Sequence, residues 1–120
     1  MTVDYDNLAR IWYDTWNARD LAAIMALYAD DVCFTSPYAR TLGFADTGTL
    51  TSKADLERYF AAGLSRIPNL HFEPLANCIG ANGHTLVYTN QSGSWVAEHH
   101  EYNDRGLIVR ANAAYTGSPA

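Results

Sequence analysis

Glu98 and His100 stand two residues apart in the run Trp95-Val96-Ala97-Glu98-His99-His100-Glu101-Tyr102. Side chains alternate sides along a strand, so an extended 95–102 segment puts Val96, Glu98, His100 and Tyr102 on one face. An acid beside an imidazole can do proton-transfer chemistry near neutral pH, with Glu98 as general acid or base and His100 as its partner. The opposite face carries Trp95, Ala97, His99 and Glu101, so neither side is cleanly apolar. An unpaired carboxylate is strongly disfavoured in a packed core. A face of Val, Glu, His and Tyr therefore fits the wall of a cavity that holds water or a polar ligand. The alternative is a buried structural acid paired with the imidazole, a tyrosine or backbone amides.

Other chemistries lack their residues. His99, His100 and Glu101 are consecutive, so their side chains alternate and do not converge on one metal ion, and His71 and His84 have no paired spacing. Asp30 and Asp31 are adjacent carboxylates, but at a helix–strand junction, where Asp caps and turns. No glycine loop has a phosphate-binding signature and no serine sits in a nucleophile elbow. The chemistry on offer needs no cofactor and no metal.

Composition narrows the partners. The net charge is −5 with no basic cluster, which argues against nucleic acid and against an anionic membrane surface. The start, Met1 to Asp6, has neither a basic nor an apolar leader region, and no apolar run reaches membrane-span length. A cytoplasmic location is the expectation. Cys33 and Cys78 could form one bridge by count, but with no export signal two buried, reduced thiols are the expectation. At 120 residues, 48% hydrophobic and 18% charged, the chain has the material for one domain over 1–120 with a full core. Eight Tyr and three Trp supply rings with polar tips, suited to a cavity wall or to a tyrosine-rich core.

The elements that must position Glu98 and His100 follow from periodicity. Tyr5, Leu8, Ile11, Trp12, Thr15 and Trp16 share one face of a helix over about 6–18. Asp20 caps a second, short helix that buries Leu21, Ile24, Met25 and Tyr28. Val32 to Ser36 is strand-like and stops at Pro37, and a loop runs from Tyr38 to Thr51. Ser52 caps a third helix with an apolar stripe of Leu56, Tyr59, Phe60, Gly63, Leu64 and Ile67, ended by Pro68. Strands over 70–80, 85–91, 95–102 and 107–116 are separated by turns at Asn82-Gly83, Ser92-Gly93 and Asp104-Arg105-Gly106. Strict alternation in the last strand sets Leu107, Val109, Ala111, Ala113 and Tyr115 against Ile108, Arg110, Asn112 and Ala114. The two central alanines leave volume beside Glu98 if the strands are neighbours. Helices first and a meander after make an α+β plan.

Leu21 through Val32, Phe34-Thr35-Ser36-Pro37, Leu56 through Phe60 and Asn103 through Ile108, in that order, resemble the nuclear transport factor 2-like superfamily. The likeness is greatest to its SnoaL-like branch, whose relatives include polyketide cyclases and ketosteroid isomerases. The resemblance implies a cystatin-like roll, a curved, largely antiparallel sheet wrapped around three N-terminal helices, with a pocket between them. The expected wall is Trp12 and Trp16, Phe34 and Ser36, Tyr59 and Phe60, Val96 and Tyr102, and Ala111, Ala113 and Tyr115. Ser36 stands where the isomerases keep a catalytic carboxylate, and a serine does not abstract a proton unaided. Glu98 matches their oxyanion-binding acid, and their helix-one tyrosine falls near Trp12, with Tyr13 facing outwards. The resemblance implies a homodimer through the convex sheet face and a small apolar or aromatic ligand. Three functions stay open: a cofactor-independent isomerase or cyclase acting on an apolar carbonyl compound, a non-catalytic binder, or a dimerisation module.

Overall fold

The Asp4 carboxylate accepts the Asn7 N–H at 3.0 Å and so starts helix α1 (Tyr5–Asn17) in the computed structural model, which describes residues 2–117. The buried side of α1 is Ala9, Trp12, Tyr13 and Trp16. Asp20 caps α2 (Leu21–Met25) in the same way, accepting the Ala23 N–H at 3.3 Å. Tyr28 is not part of this helix. It opens strand β1 (Tyr28–Thr35), because the Leu27 carbonyl accepts the Ile108 N–H at 2.9 Å and draws the chain into parallel pairing with the last strand. Asp30 and Asp31 are exposed on β1, with Asp30 3.6 Å from the Lys53 ammonium.

The segment expected as a loop holds two elements. Ser36 accepts the Tyr38 N–H at 3.2 Å and Pro37 takes the first helical position, so a short α3 (Pro37–Thr41) forms. Strand β2 (Thr49–Leu50) then pairs with β1. The helix capped by Ser52 is α4 (Lys53–Arg66), making four helices among the described residues rather than three. Leu56 and Phe60 are its buried residues, whereas Leu64 is half-buried and Gly63 borders open space.

Strands β3 (Glu73–Ile79), β4 (His84–Thr89), β5 (Trp95–Tyr102) and β6 (Ile108–Tyr115) complete a six-stranded sheet of order β2-β1-β6-β5-β4-β3. Only β1 and β6 run parallel. The plan is the expected α+β roll, with the core between the concave face and α1, α2 and α4. The β3–β4 turn sits hard on β5: a Cβ on Gly83 would come within 2.2 Å of the His100 carbonyl oxygen, so only glycine fits.

The parity of β6 departs from strict alternation. Glu101 pairs with Arg110 and Tyr102 with Ile108, so Val109 is an extra residue opposite that step. The bulge turns Ile108, 2% exposed, inward with Ala111 and Ala113. Ile108 therefore leaves the convex face that Arg110, Asn112 and Ala114 share. Cys33 on β1 is half-buried and Cys78 on β3 is exposed, so the second thiol is not a core residue. Three intervening strands hold the two well beyond the roughly 7 Å Cα separation that a disulfide tolerates. No helix among the described residues is long and apolar enough to cross a membrane.

Candidate functional site

The β5 register places the acid and the imidazole as the alternation requires. Glu98 and His100 face the concave side, 4% and 0% exposed, while His99 and Glu101 pair with each other on the convex side at 3.2 Å. Ala113 lies directly opposite Glu98 and Ala111 opposite His100, so the small residues of β6 flank the pair. His100 Nε2 is 2.7 Å from one Glu98 oxygen, and the Tyr88 hydroxyl donates to the other at 2.9 Å. Both carboxylate oxygens thus have partners, which offsets most of the cost of burying the acid. His100 Nδ1 has no partner among the described residues.

A second imidazole completes the cluster. His84 on β4 is directly opposite His100, with ring centroids 5.9 Å apart. Its Nδ1 is 2.8 Å from the Asn77 side-chain oxygen and its Nε2 is 2.6 Å from the Tyr102 hydroxyl. The Asn77 amide nitrogen donates to Asp6 at 2.9 Å, which fixes the Asn77 oxygen as acceptor, His84 Nδ1 as donor and Tyr102 as donor to Nε2. Burial, and after it the neighbouring His100 and His99, lower the His84 pKa to about 4. A neutral ring suits these bonds. Sequence spacing alone misses His84, but counting back along both strands from the Ser92-Gly93 turn puts it across from His100.

The rings over the pair are closely packed. The Tyr28 hydroxyl accepts the indole N–H groups of Trp12 at 3.2 Å and of Trp16 at 3.4 Å. Trp12 lies 5.2 Å from the His100 ring and is stacked on Phe72 at 5.4 Å, and Phe72 in turn meets Tyr88 at 4.7 Å. Tyr13 points inward, not outward, with its ring edge-on to Tyr88 at 5.7 Å and its hydroxyl buried. The reason is β3, which folds against α1 and covers that side of the helix. Burial, followed by the proximity of Glu98, pushes the hydroxyls of Tyr13, Tyr28, Tyr88, Tyr102 and Tyr115 well above their ordinary pKa. They stay protonated at neutral pH.

The open cavity lies beside this cluster, not on it. It has a volume of about 440 Å³ between α4, α3, the chain at 69–72 and the β4–β5 turn. Of the residues expected on its wall, Trp16, Tyr59, Phe60 and Tyr115 line it. Trp12, Phe34, Val96, Ala111 and Ala113 are buried behind it, as are Glu98 and His100, and Tyr102 is taken up by His84. Phe72 makes the difference. The Asn17 side chain holds its backbone at both ends, donating to the Phe72 carbonyl and accepting its N–H, each at 2.9 Å. That clamp leaves the Phe72 ring on Trp12 and on Tyr88, the ring whose hydroxyl holds Glu98. Nothing in the local sequence around Phe72 signals it.

Hydroxyls give the cavity its polar side. Tyr59 donates to the Ser36 hydroxyl at 3.3 Å, and burial pushes Tyr59 up to about 12 against the lowering effect of that bond. Ser36 is thereby a helix cap and a tyrosine partner, fully buried, at the position the resemblance assigns to a carboxylate. Tyr115 and Tyr38 meet edge-on at 4.7 Å.

Residues 9–116 match the SnoaL-like domain family. A SnoaL-like protein of unknown function from Burkholderia thailandensis E264 is 30% identical over 98% of this chain and 100% of that chain, with a TM-score of 0.89. A candidate polyketide cyclase from Sinorhizobium meliloti shares the fold at 14% identity, over 90% of this chain and 94% of that one, with a TM-score of 0.74. A candidate ketosteroid isomerase from Kribbella flavida DSM 17836 does so at 19% identity, over 95% and 78%, with a TM-score of 0.69. No curated protein matches the chain. The chain belongs to the SnoaL-like domain family of the nuclear transport factor 2-like superfamily.

Proposed function

We propose that this protein binds a small ring-bearing carbonyl compound in the cavity beside α4. The observation that carries this reading is the wall itself: Trp16, Phe60 and Phe72 make it aromatic, and a carbonyl oxygen would accept from the Tyr115 hydroxyl, or from Tyr59 in place of its bond to Ser36. A cavity of about 440 Å³ is within the range of small-molecule sites, which are mostly apolar with a few polar groups. The test is a tryptophan-fluorescence titration with 2-acetonaphthone, an aromatic ketone. Gly63 lines the cavity and a side chain there would enter open space, so Gly63→Phe should fill it. The native chain should bind in the micromolar range and the Gly63→Phe variant at least tenfold more weakly. Equal binding by the two would remove the cavity from the account.

A second reading, cofactor-independent proton transfer of the isomerase or cyclase kind, is favoured by the Glu98–His100 pair at 2.7 Å and by the similarity to the candidate cyclase and isomerase. Glu98 would move the proton with His100 beside it, and a substrate would reach them only if Phe72 and Tyr88 moved aside. Glu98→Gln keeps the shape and removes the acid. On this reading it should cost about 10²–10⁴ in rate on a substrate that the native chain turns over, with binding held within roughly tenfold. Turnover that survives in the folded variant would leave binding alone as the function.

A further inference from the structure

Acidic side chains avoid the cavity. The chain has 13 Asp and Glu against 8 Lys and Arg, yet among the described residues the cavity wall carries no acid and one charged group, Arg66. Arg66 lies in the last turn of α4, where a cation suits the helix dipole, and it makes neither of the two direct bonds common for an arginine there. The carbonyls at the end of α4 are taken by Arg19, whose guanidinium donates to Leu64 at 2.8 Å and to Ile67 at 3.0 Å. On the two long helices the other arginines of this kind pair with an acid one turn away, Arg10 with Asp14 and Arg58 with Asp55, whereas Arg40 on the short α3 has no such pair among the described residues. The residues one turn before Arg66 are Ala62 and Gly63, and no carboxylate among the described residues forms an ion pair with it.

We infer that the ligand of this cavity carries a carboxylate and that Arg66 holds it at the mouth. The inference rests on the reading of the cavity as a ligand site and adds the charge of the ligand to it. A guanidinium presents paired N–H donors that match a carboxylate in two parallel bonds, a fit that an ammonium does not reproduce. The carboxamides of Asn69 and Gln91 share the same wall and can serve the carboxylate as further donors. The apolar body then reaches inward to Phe60 and Trp16, and the Tyr115 hydroxyl stays available to a carbonyl. In a protein of net charge −5, a cation at the mouth of an aromatic cavity also favours an anionic ligand at that place.

Matched probes test this: 2-naphthoate, ionised at neutral pH, against uncharged 2-acetonaphthone, titrated into the native chain and into Arg66→Gln. Arg66 is exposed, so its replacement leaves the fold in place and the two variants are directly comparable. The native chain should prefer the naphthoate by about tenfold, and the variant should lose that preference while its affinity for the ketone stays within about twofold. Arg66→Lys should recover only part of the preference. Equal binding of acid and ketone by the native chain, or a preference that survives in Arg66→Gln, would overturn the inference and leave the cavity reading standing. Binding of neither probe would remove both.

Discussion

At the scale of residues, the Glu98–His100 pair was legible because β5 is regular from Trp95 to Tyr102, so alternation alone decides which side chains turn inward. His84 was not legible, since its role depends on the register between two strands and on Asn77 and Tyr102 beyond it. Its titration gives a prediction with a definite sign. The free imidazole titrates near 6.5 and the buried one at about 4. Between those values the unfolded chain binds a proton that the folded chain refuses. The His84 contribution is therefore absent as a penalty above about 6.5, grows as pH falls, and levels off below about 4. At full extent it is about 3 kcal/mol of lost stability, since each tenfold loss of proton affinity is worth about 1.4 kcal/mol. Denaturant melts at pH 7 and pH 4.5 measure it, with His84→Gln as the comparison. The native chain should lose more stability on acidification than the variant, by about 2 kcal/mol. Parallel losses in the two would mean that His84 takes up its proton in the fold at its ordinary pKa.

At the scale of elements, α1, α4 and β5 follow directly from periodicity and capping. Ser52 and Asp20 act as the caps their types suggest. The Ser36-Pro37 pair held the signal for α3, a capping hydroxyl followed by proline at the first helical position, and a strand ending at Pro37 obscures it. Tyr28 and Ile108 were misplaced for a shared reason. Both sit where β1 and β6 begin to pair, and the bulge at Val109 has neither glycine nor proline to announce it. Gly83 was readable as a turn residue, but not as the contact that seats the β3–β4 turn on His100. Replacing it with alanine puts a Cβ 2.2 Å from a backbone oxygen, so the turn must shift. Gly83→Ala should destabilise by about 1–3 kcal/mol, as overpacking at a fixed backbone does. A melt within about 0.5 kcal/mol of the native chain would show that the turn stands free of β5.

At the scale of the molecule, the order of elements and the spacing of weak motifs carried the fold, since a curved sheet against N-terminal helices is the arrangement that buries the stripes on α1 and α4 together. The cavity was harder to place. Trp12, Phe34 and Val96 read equally well as wall or core; Trp12 is covered by Phe72, which Asn17 anchors from 55 residues away, and Phe34 by Tyr59 and Phe60. Proteins that share this fold are described as a candidate cyclase, a candidate isomerase and a protein of unknown function, so fold alone does not choose the chemistry. On the proposed reading the space beside α4, and not the buried region around Glu98, receives the ligand. The measurement that tests it most directly is a crystal structure of the protein soaked with 2-acetonaphthone. We expect density for the rings in the cavity against Trp16 and Phe60, with the ketone oxygen within hydrogen-bond distance of the Tyr59 or Tyr115 hydroxyl and with Phe72 still on Tyr88. Density over Glu98, with Phe72 displaced from Tyr88 and the outer cavity empty, would contradict it.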